Sequence, residues 1–182
     1  MGILEKLVHV AAEQYGFVAT WQAKEIGIPS QRLNQLAERG KLDRISHGIY
    51  YVNAIPLSEH RELAEAVLWS KNGALTGVSV LALLGLCDVN PRKIHVASPV
   101  PVRRKIPGSY QLHFMDLDEA NTDNFKNIRT TTLQVCFELA IENGTQSRLI
   151  KQGLKKAEAM GLIGEVSNVK LLAKLHDRDG GI

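Results

Sequence analysis

The chain has 182 residues, 45% apolar and 23% charged, the mix of an ordinary globular protein long enough to bury a core in one or two domains. Lys and Arg number 22 against 19 Asp and Glu, so the net charge of +3 gives no bulk argument for nucleic acid, and any such argument rests on where the charges sit. Cys87 and Cys136 stand apart in apolar surroundings with no CxxC or His/Cys cluster, which reads as two buried reduced thiols and gives no support for a zinc site.

The start MGILEKLVHVAAEQYG is too mixed for a signal peptide and fails the myristoylation pattern, and no apolar run reaches spanning length, so a cytoplasmic chain with no membrane partner is expected. Leu4, Leu7, Val8, Ala11, Ala12 and Tyr15 recur at helical spacing and predict an amphipathic helix ended by Gly16. Phe17 and Val18 form a very short strand. Thr20 is placed to cap a helix through WQAKEIG, which Gly27 stops. Pro29 and Ser30 restart the chain as a helix, proline in the first turn and serine as a cap, with Leu33, Leu36 and Ala37 buried and Gly40 at the end. Two short helices around a glycine-containing turn are the helix-turn-helix pattern. Residues 42–46 and 49–52 read as strands around His47-Gly48, and three helices plus this hairpin make a winged helix-turn-helix. Adjacent strand residues point opposite ways, which leaves open which of Tyr50 and Tyr51 faces the core.

With Leu33, Leu36 and Ala37 inward, a rotation of about 100° per residue puts Gln31, Gln35 and Glu38 opposite, Arg32 and Arg39 on one flank and Asn34 on the other. Such side chains read base edges in double-stranded DNA: Gln and Asn pair with adenine, Arg with guanine. Ser30 and the free amides at the helix start suit a phosphate. Lys41 and Arg44 open the wing and His47 sits at its turn, all placed for the DNA backbone. Any amphipathic helix has a polar outside; three amides, two arginines and a hairpin behind them set this one apart. Glu38 is the exception, either pairing with a lysine or accepting from cytosine.

NAIPLS at residues 53–58 resets the chain, giving one domain of residues 1–55 and another of residues 56–182. A long helix is predicted from Glu59 to Lys71, with Leu63, Ala66, Val67 and Ser70 on one face. GALTGVSVLALLGL reads as a buried strand and a small apolar helix stopped by Gly85. KIHVASPV and SYQLHFMDL are strands joined by the basic connection PVRRKIPG. Thr130 and Thr131 are placed to cap a helix through LQVCFELAIEN, a further helix covers about Ser147 to Met160, and a last one, SNVKLLAKLH, precedes a frayed tail, DRDGGI. The fold class is α+β: an N-terminal winged helix-turn-helix followed by a C-terminal mixed α/β domain.

Asp116, Asp118, Glu119 and Asp123 gather after a strand, where a metal-dependent nuclease places carboxylates, but no E-x-K follows and the spacing fails an EF-hand. A solvated acidic loop is the reading adopted, with a nuclease-like C-terminal domain targeted by the winged helix as the alternative. His95 reads as a structural strand residue. No P-loop, GxSxG or GxGxxG is present, so no cofactor and no catalytic residue are assigned. Arg103, Arg104 and Lys105 form one basic cluster, and Arg148, Lys151 and Lys155 follow one helix face in another. Both read as solvated surface, or as a second surface that extends a nucleic-acid footprint.

The segments GFVATWQAKEIGIPSQRLNQLAERGKLDRISHGIYYV, GALTGVSVLALLGL, KIHVASP and IRTTTLQVCFELA, in this order, resemble the AbiEi-type antitoxins of type IV toxin–antitoxin systems. The resemblance implies an N-terminal winged helix and a C-terminal antitoxin domain. It implies a non-enzymatic autorepressor that binds inverted repeats in its own promoter and counteracts a nucleotidyltransferase-like toxin without a stable complex. Carried onto this chain, the recognition helix is Ser30 to Arg39 and the wing Arg44 to Val52; Asp43 and Ser46 depart from the more basic wings of relatives.

Overall fold

The computed structural model describes residues 1–180. Helix α1 (Ile3–Ala12), strand β1 (Phe17–Ala19), helices α2 (Thr20–Glu25) and α3 (Ser30–Glu38), and strands β2 (Leu42–Ser46) and β3 (Ile49–Val52) follow in the order the sequence predicts. β3 is the middle strand of an antiparallel sheet, between β1 and β2, with Tyr51 opposite both Phe17 and Asp43. This is a winged helix-turn-helix.

Strand alternation divides this sheet between two cores. Val18, Tyr50 and Val52 pack with Leu7, Ala11, Ala23, Ile28 and Leu33 of the helices. Phe17, Ala19, Ile49 and Tyr51 face the other way, into a core that includes Ala64, Leu68 and Trp69. All of β3 is therefore buried, with Tyr50 only 3% and Tyr51 only 6% exposed, so both tyrosines face a core. A buried phenol needs a partner. The Tyr50 hydroxyl donates to Asn34 Oδ1 at 2.7 Å, and that of Tyr51 to the Ile55 carbonyl at 2.7 Å.

The second sheet is mixed, in the order β6-β5-β4-β8-β7, built from β4 (Ala74–Leu75), β5 (Ile94–Ser98), β6 (Tyr110–Phe114), β7 (Thr122–Phe125) and β8 (Ile128–Thr131). β5 and β6 run parallel, as do β4 and β8; the other two pairings are antiparallel. Helices α4 (Arg61–Val67), α5 (Gly77–Leu83), α6 (Leu133–Glu142), α7 (Ser147–Ala159) and α8 (Glu165–Gly180) complete the C-terminal α/β domain. Leu81, Leu86, Phe137, Ile141, Ile150 and Leu154 fill its core. Cys87 and Cys136 are buried free thiols, as expected, and burial pushes the Cys136 thiol up to about 11.

Three expectations are corrected. The helix from Glu59 to Lys71 is cut to Arg61–Val67. The chain turns early so that Ser70 meets Ser98 in the core (Oγ–Oγ 2.6 Å) and Gly73 packs closely on the Val67 carbonyl before β4. Thr130 and Thr131 do not cap α6; they lie in β8, Thr132 takes the cap position, and the Thr131 hydroxyl bonds that of Thr76 at 2.6 Å. The tail is not frayed over DRDG, because α8 runs to Gly180 and Arg178 donates to the Ile141 and Thr145 carbonyls at 3.1 and 2.8 Å. A cation over the end of α6 is a favourable site on helix-dipole grounds. Gly181 and Ile182, the last of that predicted tail, lie outside the described residues.

Gly16 links α1 to β1 at φ 90°, and a Cβ there would stand 2.5 Å from the Tyr51 ring. Gly16→Ala is expected to destabilise the protein by about 2–4 kcal/mol, from left-handed strain plus overpacking, read as a lowered urea midpoint. An unchanged midpoint contradicts the close approach of Gly16 and Tyr51.

Candidate nucleic-acid interface

The turn between α2 and α3 is closed by the Ile28 amide donating to Ala23 O at 2.8 Å, with Gly27 at φ 77°. Neither predicted cap acts as one. Ala19 is the cap residue of α2, and its amide is taken by Gln22 Oε1 at 2.9 Å; Pro29 precedes α3, in which Ser30 is the first residue. Leu33 is fully buried, while Leu36 and Ala37 are half-buried against the same core. That anchoring turns Gln31, Arg32, Asn34, Glu38 and Arg39 to solvent, with Gln35 half-buried among them. Arg32 Nη1 donates to Gln35 Oε1 at 2.9 Å, so the pair is held side by side. Asn34 accepts the Tyr50 hydroxyl, which ties α3 to β3 and uses part of the amide that adenine recognition requires. Glu38 forms no ion pair among the described residues.

The wing is short. Ser46 pairs with Ile49 across the turn His47-Gly48, Ile45 is an extra residue in β2, and Gly48 has φ 78°. Thr20 fastens the tip: its amide donates to Gly48 O at 2.8 Å and its hydroxyl to the same oxygen at 3.2 Å. Arg44 and His47 are both exposed there, Nη2 to Nδ1 3.4 Å, and Lys41 is exposed at the wing's base. Asp43 accepts from Asn53 Nδ2 at 3.1 Å, and the same amide donates to Gly40 O at 3.2 Å. The carboxylate thus fastens the base of the hairpin.

Arg104 is the residue the sequence misplaced. It is no free member of a basic cluster: its guanidinium lies 4.0 Å from the Trp69 ring centre, Nη2 donates to Trp69 O at 2.9 Å, and Nη1 donates to the His47 carbonyl at the wing tip. Burial lowers its pKa from the ordinary arginine value. Arg103 and Lys105 beside it are exposed. Arg148, Lys151 and Lys155 are also exposed, but on α7, which packs against α6 and α8 rather than the wing. One arginine of a basic run between prolines carries no sign of a long-range partner, which is why the sequence pattern missed this tether.

Residues 5–53 match the family described as "Transcriptional regulator, AbiEi antitoxin". The match runs from within α1 to the end of the wing, less than a third of the chain. No curated protein matches the chain. A crystal structure of the RV2827C protein from Mycobacterium tuberculosis is similar at 15% identity and a TM-score of 0.44, over 94% of this chain and 80% of that one. None of the described helices is long and apolar enough to cross a membrane.

Outside the AbiEi-type segment, two groups flagged by sequence have structural accounts. Asp118 Oδ1 accepts the Ala120 and Asn121 amides at 2.9 and 3.0 Å, and Asn121 Nδ2 donates to Asp116 O at 2.7 Å, so the acidic stretch is a side-chain-bonded turn. Asp123 leaves it for β7. His95 and His113 stack on the parallel pair β5 and β6, rings 5.1 Å apart and Nδ1 to Nε2 2.9 Å. Burial depresses both; His95 falls to about 4, with the charges of His113 and Lys93 adding to the effect.

A depressed histidine stabilises the fold where both states are neutral and loses that contribution as the unfolded chain protonates first. Stability should therefore be full above pH 6.5 and fall as pH drops from 6.5 toward about 4. Urea midpoints at several pH values across this window test it. The wild type should decline, and a His95→Asn/His113→Asn variant should be flatter; equal slopes contradict the assignment.

Proposed function

We propose that the chain is a sequence-specific DNA-binding autorepressor and antitoxin of a type IV toxin–antitoxin system, acting in the cytoplasm. Residues 1–55 form the DNA-reading domain and bind inverted repeats in the chain's own promoter. Residues 56–182 form the antitoxin domain, which counteracts a nucleotidyltransferase-like toxin without a stable complex. The observation that carries the DNA reading is the solvent face of α3, with Gln31, Arg32, Gln35 and Arg39 outward on a helix whose opposite side is anchored by Leu33. The AbiEi match over residues 5–53 supports both halves of the proposal.

Arg32 reads guanine, steadied by Gln35, and Gln31 reads a neighbouring base. The Ser30 hydroxyl and the first amides of α3 meet a phosphate, as do Lys41, Arg44 and His47 on the wing side. Asn34 ties the helix to β3 through the Tyr50 hydroxyl. No cofactor enters this scheme.

The wild-type chain should retard DNA from immediately upstream of its gene at low salt, with affinity falling linearly in log salt. Arg32→Ala/Gln35→Ala should narrow its preference for that DNA over a scrambled duplex by about 1–3 kcal/mol per lost base contact. Lys41→Ala should weaken both duplexes equally. Absence of any shift at low salt rejects the repressor. Co-expression with a nucleotidyltransferase-like reading frame beside the gene tests the antitoxin half, which falls if growth is not restored.

A further inference from the structure

The wing turn holds only His47 and Gly48, and Arg44 Nη2 is drawn to within 3.4 Å of His47 Nδ1. So short a wing has little reach along a DNA backbone. Beside its tip lies a groove of about 590 Å³ whose lining brings together cations from three separate elements: Lys24 from α2, Lys71 from the turn after α4, and Arg103 from the connection between β5 and β6. No carboxylate lines it; Glu25 stands outside, 3.2 Å from Lys71, with both side chains more than half exposed. An exposed pair of that kind offsets little of the positive field. Arg104 holds the connection in place, spending its donors on Trp69 O and His47 O.

We propose that the connection 99–109 completes the wing, so that duplex DNA running past the wing tip lies along this groove and over the connection beside it, its phosphates met by Arg103 and Lys24 in the groove and by Lys105 on the exposed connection. Arg104 is the positioning residue: half-buried against Trp69 and committed to protein carbonyls, it fixes the connection against the hairpin while its neighbours on either side face solvent. The partner is double-stranded DNA, because evenly spaced phosphates are what several separated cations along one groove reward. This proposal rests on the DNA-binding reading of α3 and adds the C-terminal domain to its footprint.

The test is anisotropy titration of the full chain with a mixed-sequence duplex of about 30 base pairs over a range of salt. Arg103→Ala/Lys105→Ala removes two phosphate contacts, so the slope of log K against log salt should shrink by about 2 and low-salt affinity fall about tenfold. Arg104→Ala leaves both cations but frees the connection, and should reproduce part of that loss. Arg148→Ala/Lys151→Ala removes the same charge from α7 and should change the slope much less. An unchanged slope in the Arg103→Ala/Lys105→Ala protein overturns the proposal, as does an equal loss from the α7 pair, which reduces the effect to bulk charge. If Arg32→Ala and Lys41→Ala weaken binding while the connection variant does not, the DNA reading stands and this inference falls. If the wild type binds no duplex, both fall.

Discussion

β3 is buried on both faces, and the arrangement of the rest follows from it. Tyr50 and Val52 seal the helical core on one side; Ile49 and Tyr51, with Phe17 and Ala19, seal a second core on the other. Fully burying one such side chain is worth about 1.5–3 kcal/mol, so the apolar junction outweighs the hydrogen bonds of Arg104, each about 1.5–3 kcal/mol at best when charged and less when partly exposed. Apolar contact holds the two halves together, and Arg104 sets where the wing tip comes to rest. The helix-turn-helix is thus presented by a sheet whose back is not free.

That constraint explains why the polar groups around the wing are busy with the protein itself. Thr20 binds the Gly48 carbonyl, Asn53 bridges Asp43 and Gly40, and Asn34 holds the Tyr50 hydroxyl. Each satisfies a group that burial or a tight turn would otherwise leave exposed to cost. What remains turned outward on α3 is Gln31, Arg32 beside the half-buried Gln35, Asn34 with its oxygen held by Tyr50, Glu38 and Arg39, and on the hairpin Lys41, Arg44 and His47.

The elements of the winged helix were legible in the sequence because its helices are stopped by glycines and its strands flank a glycine turn; residues 42–46 and 49–52 are the observed strands. The β7–β8 hairpin was not legible. β7 is Thr-Asp-Asn-Phe at a sheet edge, with no apolar alternation, and its turn is Lys126-Asn127, two left-handed residues without glycine. The early end of α4 was hidden too, since Leu63 through Ser70 keeps helical spacing while Ser70 is claimed by Ser98, a residue distant in sequence. For the candidate site, the outward face of α3 follows from periodicity alone. The roles of Asn34 and Arg104 do not, because each depends on a partner that only tertiary packing supplies.

The Asn34–Tyr50 hydrogen bond also bears on how such a helix can be retargeted. A position that sits on the solvent face yet holds a buried phenol is not free to change with the DNA sequence it meets. On the proposed function, variation in what α3 reads is then channelled to Gln31, Gln35 and Glu38, which no buried group depends on, while the residue between them stays fixed by the fold. On that proposal, divergent copies of this chain should carry their differences in those positions and keep the Asn–Tyr pair together or lose both.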